Sequence, residues 1–299
     1  MFIQRHADIK RSREYMARFR NNGWEPHELK VYWNAEQLEI LCPKDCQLDE
    51  DDGRLPPHDP SDADVVQALR QCPVSKRNHA GNITYVNKGI EKAVFDVPEG
   101  AQIILLNFAN EQSPGGGYLS HAWAQEEIIL YNSDGYRALL DLKYGRMGGD
   151  YAIPEFGLAY ARDICFVDKD TNECRQADML ISACYCLFSR QLYDNPKTES
   201  EWTTNNVAKF RAFMAAAVAN TKGDGSNTYL LLGPIGTGAF GNEVNKIGSI
   251  FRKVLTSKMM GSCDSVRNAF GNIWFVSTDA WKNDVFKKIL ADDEIAEVE

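Results

Sequence analysis

The feature that most constrains this 299-residue chain is a short apolar segment that leads into three consecutive glycines. The β-prone run Ile103–Leu106 continues through Asn107 and Asn110 to Pro114 and the glycines Gly115, Gly116 and Gly117, and Gln125-Glu126-Glu127 follows seven residues later. Glycines in series serve where the backbone takes positive φ or approaches a ligand closely. The pattern predicts a buried strand that delivers its carboxyl end to a glycine turn beside two adjacent glutamates.

A second glycine-rich motif lies more than one hundred residues downstream. The apolar run Tyr229–Leu232 enters the turn Gly233–Asn242, and a helix is predicted from about Glu243 to Lys258. A strand, a glycine-rich turn and a helix present main-chain amides and a positive helix end to a phosphate group. We therefore predict a diphosphate site at this turn.

Together the two motifs resemble those of a known family. The strand end with its Asn-x-Ala-Asn pattern is similar to a macrodomain strand, and the triple glycine with Gln-Glu-Glu resembles the signature of microbial-type poly(ADP-ribose) glycohydrolase. The resemblance covers roughly residues 83 to 275. It implies an α/β fold, a macrodomain-like three-layer α/β/α sandwich with a mixed sheet and a mostly helical N-terminal extension.

The resemblance also implies an activity and a site. The expected reaction is hydrolysis of ribose-ribose O-glycosidic linkages of poly(ADP-ribose), free or on ADP-ribosylated protein, with ADP-ribose released. Glu127 would be the general acid, Glu126 would hold ribose hydroxyls, and Asn110 would fix the adjacent ribose. Phe240 would lie against the terminal part of the ligand. The expected substrate contacts are Asn107, Asn110, Gly115, Gly116, Gly117, Gln125, Gly236, Thr237, Gly238, Ala239 and Phe240.

Helical geometry separates the roles of the two glutamates. Successive residues of a helix point about 100° apart, so Glu126 and Glu127 would not address one atom from the same side. Ile128, Ile129 and Leu130 follow them, which predicts that this turn lies against the core. Burial and a neighbouring carboxylate raise the pKa of a glutamate toward the range of a proton donor at neutral pH. This chemistry requires no metal and no cofactor.

Other functions remain open to different degrees. The same cleft could serve a non-catalytic reader of ADP-ribose, or an enzyme that removes a single ADP-ribose from an acceptor. Residues 236–241 also fit Gly-x-Gly-x-x-Gly, but residues 256–264 are not strand-like, which disfavours a nicotinamide dinucleotide fold. Serine hydrolase chemistry is disfavoured because the chain has no Gly-x-Ser-x-Gly elbow. His121 is interpreted as a loop residue.

Charge and composition limit the classes of partner and the cellular compartments that are expected for this chain. A net charge of -9 disfavours a broad basic face for nucleic acid, so no DNA partner is expected. No apolar run approaches the ~20 residues of a membrane span, and no membrane partner is expected. The basic first twenty residues could be a presequence, but the acidic residues Asp8 and Glu14 weaken this interpretation. A cytoplasmic location, or a nuclear one in a eukaryote, is the expectation, and the eight cysteines are expected to be reduced.

Element patterns suggest an N-terminal accessory region at 1–80 and a macrodomain-like catalytic domain at 81–299. Alternation of strands with helices indicates an α/β sandwich. In the accessory region the sequence predicts a helix at 8–21, a linker at 43–64 and a short helix at 65–72. The predicted strands of the catalytic domain are 83–86, 103–106, 161–167 and 179–183. Its other predicted helices begin near Trp123, at Ser133 as an N-cap, and at Asn205, the last ending at Thr221.

Overall fold

The computed structural model describes residues 29–32, 67, 71–113, 115–141, 146–147, 150–151, 153, 155–189, 193–258 and 264–291. The strands within these ranges are Leu29–Tyr32 (β1), Asn82–Val86 (β2), Gln102–Phe108 (β3), Arg146–Met147 (β4), Asp150–Tyr151 (β5), Leu158–Val167 (β6), Cys174–Ser182 (β7), Thr228–Leu232 (β8) and Asn272–Val276 (β9). The α-helices are Ile90–Asp96 (α1), Gln125–Asn132 (α2), Tyr136–Asp141 (α3), Glu199–Ala219 (α4), Val244–Leu255 (α5) and Ala280–Ala291 (α6).

Seven of these strands form one mixed sheet in the order β1-β6-β7-β3-β8-β9-β2. The five strands from β7 to β2 run parallel to one another, whereas β6 is antiparallel to both β7 and β1. The carboxyl ends of the parallel strands therefore meet at one edge of the sheet. Ligands of open α/β sheets bind at this edge, between two adjacent strands whose following connections lead in opposite directions along the sheet. β3 and β8 are such a pair, because the chain passes from β3 to the β6–β7 side and from β8 to β9.

The core is built on β3, whose residues from Gln102 to Asn107 are all buried. A strand that is apolar along its whole length is covered on both faces. The helices pack in two groups, α1 with α2 and α5 with both α4 and α6. The predicted macrodomain-like α/β sandwich is confirmed.

The two motif regions have the predicted local structure. The run at 103–106 lies in β3, the run at 229–232 lies in β8, and the helix predicted near Trp123 begins at Gln125. The helix predicted at 243–258 is Val244–Leu255. The strands predicted at 83–86, 161–167 and 179–183 lie in or overlap β2, β6 and β7.

Two predicted helix starts are wrong. Ser133 is the residue that ends α2, since its hydroxyl donates to the Ile129 carbonyl at 2.8 Å, and α3 begins at Tyr136. The long helix α4 begins at Glu199, six residues before the predicted start. Its N-cap is Thr198, whose hydroxyl accepts the Glu201 N–H at 3.1 Å.

The expectation that all cysteines are reduced is also wrong. Cys165 and Cys174 form a disulfide with a Cα–Cα distance of 6.1 Å. They lie on the paired strands β6 and β7 as a diagonal pair, since the register pairs Cys165 with Gln176 and Cys174 with Val167. Cys184 and Cys186 are buried free thiols, so they pack as small apolar side chains.

The N-terminal predictions are only partly within reach of the structure. The helix at 8–21 and the linker at 43–64 lie outside the described residues, as does most of the helix at 65–72. β1 comes from the predicted accessory region and forms the edge strand beside β6. The division at residue 80 stays a prediction. In the described ranges, every helix is too short or too polar to cross a bilayer.

Candidate active site

Gln125, the first residue of α2, attaches this helix to the end of β3. Its side-chain oxygen accepts the Phe108 N–H at 2.9 Å, and its side-chain nitrogen donates to the Leu106 carbonyl at 2.7 Å. The amide therefore continues the hydrogen bonding of the strand where the ladder ends. This contact fixes the two glutamates that follow relative to the carboxyl end of β3.

Glu126 is almost fully buried, with 2% of its surface exposed. One carboxylate oxygen accepts the Asn107 side-chain N–H and the Gly115 N–H, both at 3.2 Å, and the other accepts the Asn110 N–H at 3.0 Å. Burial raises the pKa of Glu126 to about 8, against the hydrogen bond from Asn110, and the charge of Glu127 adds to the rise. The pair thus has one carboxyl that holds a proton near neutral pH.

Glu127 is buried as well, at 5% exposure, but it faces different donors. Its Oε1 accepts the Gly117 N–H and its Oε2 accepts the Ala124 N–H, each at 2.9 Å. Ala124 is the N-cap of α2, so Glu127 folds back over the start of its own helix in the manner of a capping glutamate. The side chain is held between the helix start and the glycine turn.

The two carboxylates converge on Gly116. This residue has φ of 53°, and a Cβ atom added there would lie 2.5 Å from Glu127 Oε1 and 3.0 Å from Glu126 Oε2. Both its backbone conformation and the space around it therefore require glycine. Glu126 and Glu127 accept hydrogen bonds from different N–H groups, in agreement with the predicted difference in their directions along the helix. Both carboxylates nevertheless reach the same turn.

The two asparagines at the carboxyl end of β3 shape the turn and hold Glu126. Asn107 is fully buried and contacts Glu126. The Asn110 side-chain oxygen accepts the N–H groups of Gln112 and Ser113, each at 2.9 Å, which closes a local turn before the glycines. Both asparagines thus lie where the sequence places them, beside the glutamate pair.

The second turn, after β8, is fixed by Asn242. Its backbone N–H and side-chain nitrogen both donate to the Gly236 carbonyl, at 3.0 and 3.1 Å, and the side chain also donates to Tyr185 and accepts from Trp202. Gly236 has φ of 73°, and a Cβ atom there would lie 2.8 Å from Cys184 Cβ. The turn therefore packs tightly against the chain that follows β7.

Four backbone amides of this turn have no hydrogen-bond acceptor among the described residues. They are those of Gly236, Gly238, Ala239 and Phe240. The N–H groups of Ile235, Thr237, Gly241 and Asn242 are used within the turn itself. Unpaired amides next to the start of α5 form an anion-binding arrangement.

A cavity of about 410 Å³ joins the two motifs. Its lining includes the turn from Gly236 to Phe240 in the second motif, and Phe108, Ala109 and the segment Trp123–Gln125 in the first. The glutamates themselves are not lining residues, but the three residues that immediately precede them are. The predicted site residues are thus brought to one edge of the sheet, with the carboxylates directly behind the cavity wall.

The far end of the cavity uses residues that the sequence analysis did not single out. They are Lys88, Gly89, Ile90, Glu91, Val276, Ser277, Thr278, Asp279 and Lys282. Val276 ends β9, and the others lie in the segments that follow β2 and β9, whose carboxyl ends reach the same sheet edge as those of β3 and β8. The signal that could have found them is the polar stretch after each of these two strands. No cluster of metal-binding side chains occurs in the part of the chain that the structure describes.

The fold and the site define a macrodomain-like α/β protein with a paired-glutamate turn opposite a phosphate-type turn. Residues 62–147 match the family described as "Microbial-type PARG, catalytic domain". The chain is therefore similar to microbial-type poly(ADP-ribose) glycohydrolases, as its motifs predict. No curated protein matches the chain.

Solved structures with this fold include poly(ADP-ribose) glycohydrolases from two bacteria. Poly(ADP-ribose) glycohydrolase from Thermomonospora curvata is 18% identical, with a TM-score of 0.67 over 96% of this chain and 99% of that one. The enzyme from Deinococcus radiodurans in complex with ADP-ribose is 20% identical, with a TM-score of 0.61 over 89% and 95%. The T. curvata enzyme bound to the inhibitor ADP-HPD is 20% identical, with a TM-score of 0.55 over 85% and 96%.

Proposed function

We propose that this chain hydrolyses the ribose-ribose O-glycosidic linkages of poly(ADP-ribose) and releases ADP-ribose. The observation that carries the proposal is the pair of buried carboxylates at Gly116, which directly follow three residues that line a cavity shared with the unpaired backbone amides of the second turn. The family match at 62–147 and the relative solved with ADP-ribose support the same substrate class.

The diphosphate of the substrate is assigned to the turn after β8. The amides of Gly236, Gly238, Ala239 and Phe240 would donate to its oxygens, and the start of α5 would add a positive dipole end. With a net charge of -9, the protein does not attract a polyanion by its overall field. Local amide donors therefore supply the attraction, and the Phe240 ring supports the terminal ribose.

Glu127 is assigned as the general acid and Glu126 as its partner. Glu127 donates a proton to the departing ribose oxygen while positive charge develops on the anomeric carbon. The resulting carboxylate then activates a water that attacks the same carbon. Glu126 and Asn110 hold the ribose hydroxyls on either side of the bond. Gln125 contributes by fixing α2 on β3, and Gly115, Gly116 and Gly117 leave room for the sugar to approach.

The raised pKa of Glu126 supports a shared proton in this pair. Two carboxylates that meet at one glycine in a buried site do not both ionise readily. Burial raises the pKa of Glu126, and Glu127 accepts the N–H groups of Gly117 and Ala124. In the proposed reaction, the proton that is delivered to the leaving oxygen is on Glu127 when the bond breaks. The roles are thus separable by single substitutions.

Three assays on one preparation distinguish the candidate functions. Polymer-modified protein is incubated with the chain and resolved on a gel, and ADP-ribose binding is measured by calorimetry. Cleavage that leaves a protein-linked stub supports the glycohydrolase. Binding without cleavage indicates a reader, and removal of the last ADP-ribose indicates a mono-ADP-ribosyl hydrolase. If the chain removes neither the polymer nor the protein-linked stub and does not bind ADP-ribose, the whole proposal is contradicted.

The cellular compartment stays a prediction. The cytoplasmic expectation rests on sequence composition, whereas the Cys165–Cys174 disulfide is a bond that persists mainly in oxidising compartments. Mass spectrometry of the alkylated protein, purified without reductant, would report whether this pair is oxidised in the cell. DNA is not among the proposed partners, because a net charge of -9 disfavours the broad basic face that nucleic acid requires.

A further inference from the structure

Lys209, in the middle of α4, is a buried cation with 3% of its surface exposed. Its ammonium donates to the Ala183 carbonyl at 3.3 Å and to the Glu155 carbonyl. A buried ammonium is retained only where it is paired or hydrogen bonded, because removal from water is costly. Here it joins three separate segments, namely α4, the chain after β7, and the loop before β6.

Aromatic rings complete the surroundings of this ammonium. The Lys209 nitrogen lies 4.1 Å from the ring centre of Tyr193, 4.8 Å from that of Tyr185 and 5.7 Å from that of Phe156. Each distance is within the range of a cation–π interaction. The charge is therefore held in one place by two carbonyls and three rings.

The segment that Lys209 holds after β7 is the support of the diphosphate turn. Cys184, next to Ala183, is the residue against which Gly236 packs. The Tyr185 carbonyl accepts the Asn242 side chain at 2.8 Å, and the Leu187 N–H donates to the Phe240 carbonyl at 2.8 Å. A shift of this segment would move the amides that face the cavity.

The loop that Lys209 holds before β6 is connected to the glutamate turn. The Ile153 N–H donates to the Glu111 carbonyl at 2.9 Å, and Glu111 directly follows Asn110. The Asn110 N–H in turn holds Glu126. Glu111 is 1% exposed, and its negative charge favours the charged form of Lys209. One ammonium thus lies behind both halves of the site.

We propose that Lys209 is a positioning residue. Through its contacts with Ala183 and Glu155, it fixes the position of the diphosphate turn (residues 236–240) relative to the glutamate turn (residues 115–117). This inference rests on the proposed function, since it concerns the ADP-ribose site. Lys209 does not touch the substrate. Its charge sets the spacing of the two turns that do.

The geometry makes this spacing sensitive to pH. Burial lowers the pKa of Lys209 to about 8, and Cys184, Glu155 and Glu111 oppose the shift. The ionisable groups that face the ammonium come from every packed segment: Glu111, Glu155, Cys184, Tyr185 and Tyr193. Above pH 8 the amine is neutral. It then loses its cation–π contacts, and its hydrogen bonds are weakened because they are no longer charge-assisted.

The first experiment compares Lys209→Met, Lys209→Arg and the control Lys222→Met, an exposed lysine beyond the end of α4. ADP-ribose affinity is measured by calorimetry at pH 7, and unfolding by urea is measured on the same samples. We expect Lys209→Met to bind at least tenfold more weakly, Lys209→Arg to recover most of this loss, and the control to be unchanged. Affinity of Lys209→Met within twofold of the unsubstituted chain overturns the proposal.

The second experiment remains informative if Lys209→Met does not fold. ADP-ribose affinity is followed from pH 6.5 to 9.5 in Glu126→Gln, where the Glu126 carboxyl no longer titrates, and in Glu126→Gln with Lys209→Arg. We expect the first protein to lose about tenfold in affinity across this range, because Lys209 becomes neutral, and the second to lose less than threefold. Parallel curves for the two proteins overturn the proposal.

Failure of this inference is distinct from failure of the proposed function. If the unsubstituted chain binds ADP-ribose and cleaves polymer while Lys209 variants behave as it does, only the positioning role is lost. If the unsubstituted chain neither binds ADP-ribose nor cleaves polymer, the substrate assignment itself fails and the positioning role fails with it.

Discussion

Glu126 makes the free energy of unfolding depend on pH in a direction that is unusual for a carboxyl group. Its pKa is about 8 in the folded protein and near the ordinary value of 4.5 in the unfolded chain. Between these values the folded state holds a proton that the unfolded state releases. Stability contributed by this group is therefore lost as pH rises through the window from about 4.5 to 8.

The magnitude follows from the width of this window. Each pH unit inside it changes the free energy of unfolding by about 1.4 kcal/mol for a single group. Between pH 5.5 and pH 8.5 the loss from Glu126 is about 3 kcal/mol, a large fraction of the ~5–15 kcal/mol that stabilises a typical domain. Other ionisable groups also titrate there, so the wild-type curve alone does not isolate Glu126.

The assay is therefore a difference between two proteins. Urea unfolding of the unsubstituted chain and of Glu126→Gln, followed by circular dichroism, gives a stability difference at each pH. We expect the unsubstituted chain to lose about 3 kcal/mol relative to Glu126→Gln between pH 5.5 and 8.5. The matched control Glu173→Gln changes an exposed carboxyl at the end of the β6–β7 hairpin, and its difference should stay flat. A Glu126→Gln difference that is flat, or that has the opposite slope, refutes the desolvated state of Glu126.

Three further outcomes follow from the contacts of the site. Glu127→Gln should slow polymer cleavage by at least ~10³-fold with ADP-ribose affinity within threefold, as read by gel assay and calorimetry, and near-normal turnover would remove Glu127 from the acid role. Gly116→Ala forces a positive φ and a clash with both carboxylates, so urea unfolding should show a loss of about 1–3 kcal/mol. A loss below about 0.5 kcal/mol would contradict the crowding at this turn. Asn242→Ala removes the side-chain hydrogen bonds that hold the diphosphate turn and should weaken ADP-ribose binding about tenfold. An unchanged affinity in calorimetry would argue against this turn as the diphosphate site.

Local patterns predicted the parts of the fold where neighbouring residues decide the structure. The apolar run, glycine turn and glutamate helix lie close together in sequence, and so do the strand, turn and helix of the second motif. The predicted start of α3 at Ser133 is wrong because its hydroxyl donates back to the Ile129 carbonyl and also accepts the Gly135 N–H at 3.2 Å, so this residue ends α2 and closes the turn before α3. A sequence pattern does not show both of these bonds. The predicted start of α4 lies six residues after the observed one. The first turns of this helix are polar and show no apolar stripe, although Thr198 is a suitable N-cap.

Features that depend on sheet order could not be predicted in this way. The disulfide requires the register that places Cys165 near Cys174, and the far end of the cavity requires β2 and β9 to lie side by side. Lys209 has no sequence signal, since its role comes from the meeting of three segments that are remote in the chain. The greater desolvation of Glu126 also needs the structure, because the helix alone does not show which of the two carboxyls is the more buried.

Sheet order also explains how two motifs more than one hundred residues apart form one site. β3 and β8 are adjacent parallel strands, so the turns after them open on the same edge. β7 lies on the other side of β3, and its extension at Cys184 passes under the diphosphate turn. Substrate would thus be held from the β8 side and cleaved from the β3 side. A change that alters the spacing of these strand ends should affect binding and catalysis together, whereas a change at Glu127 alone should affect catalysis only.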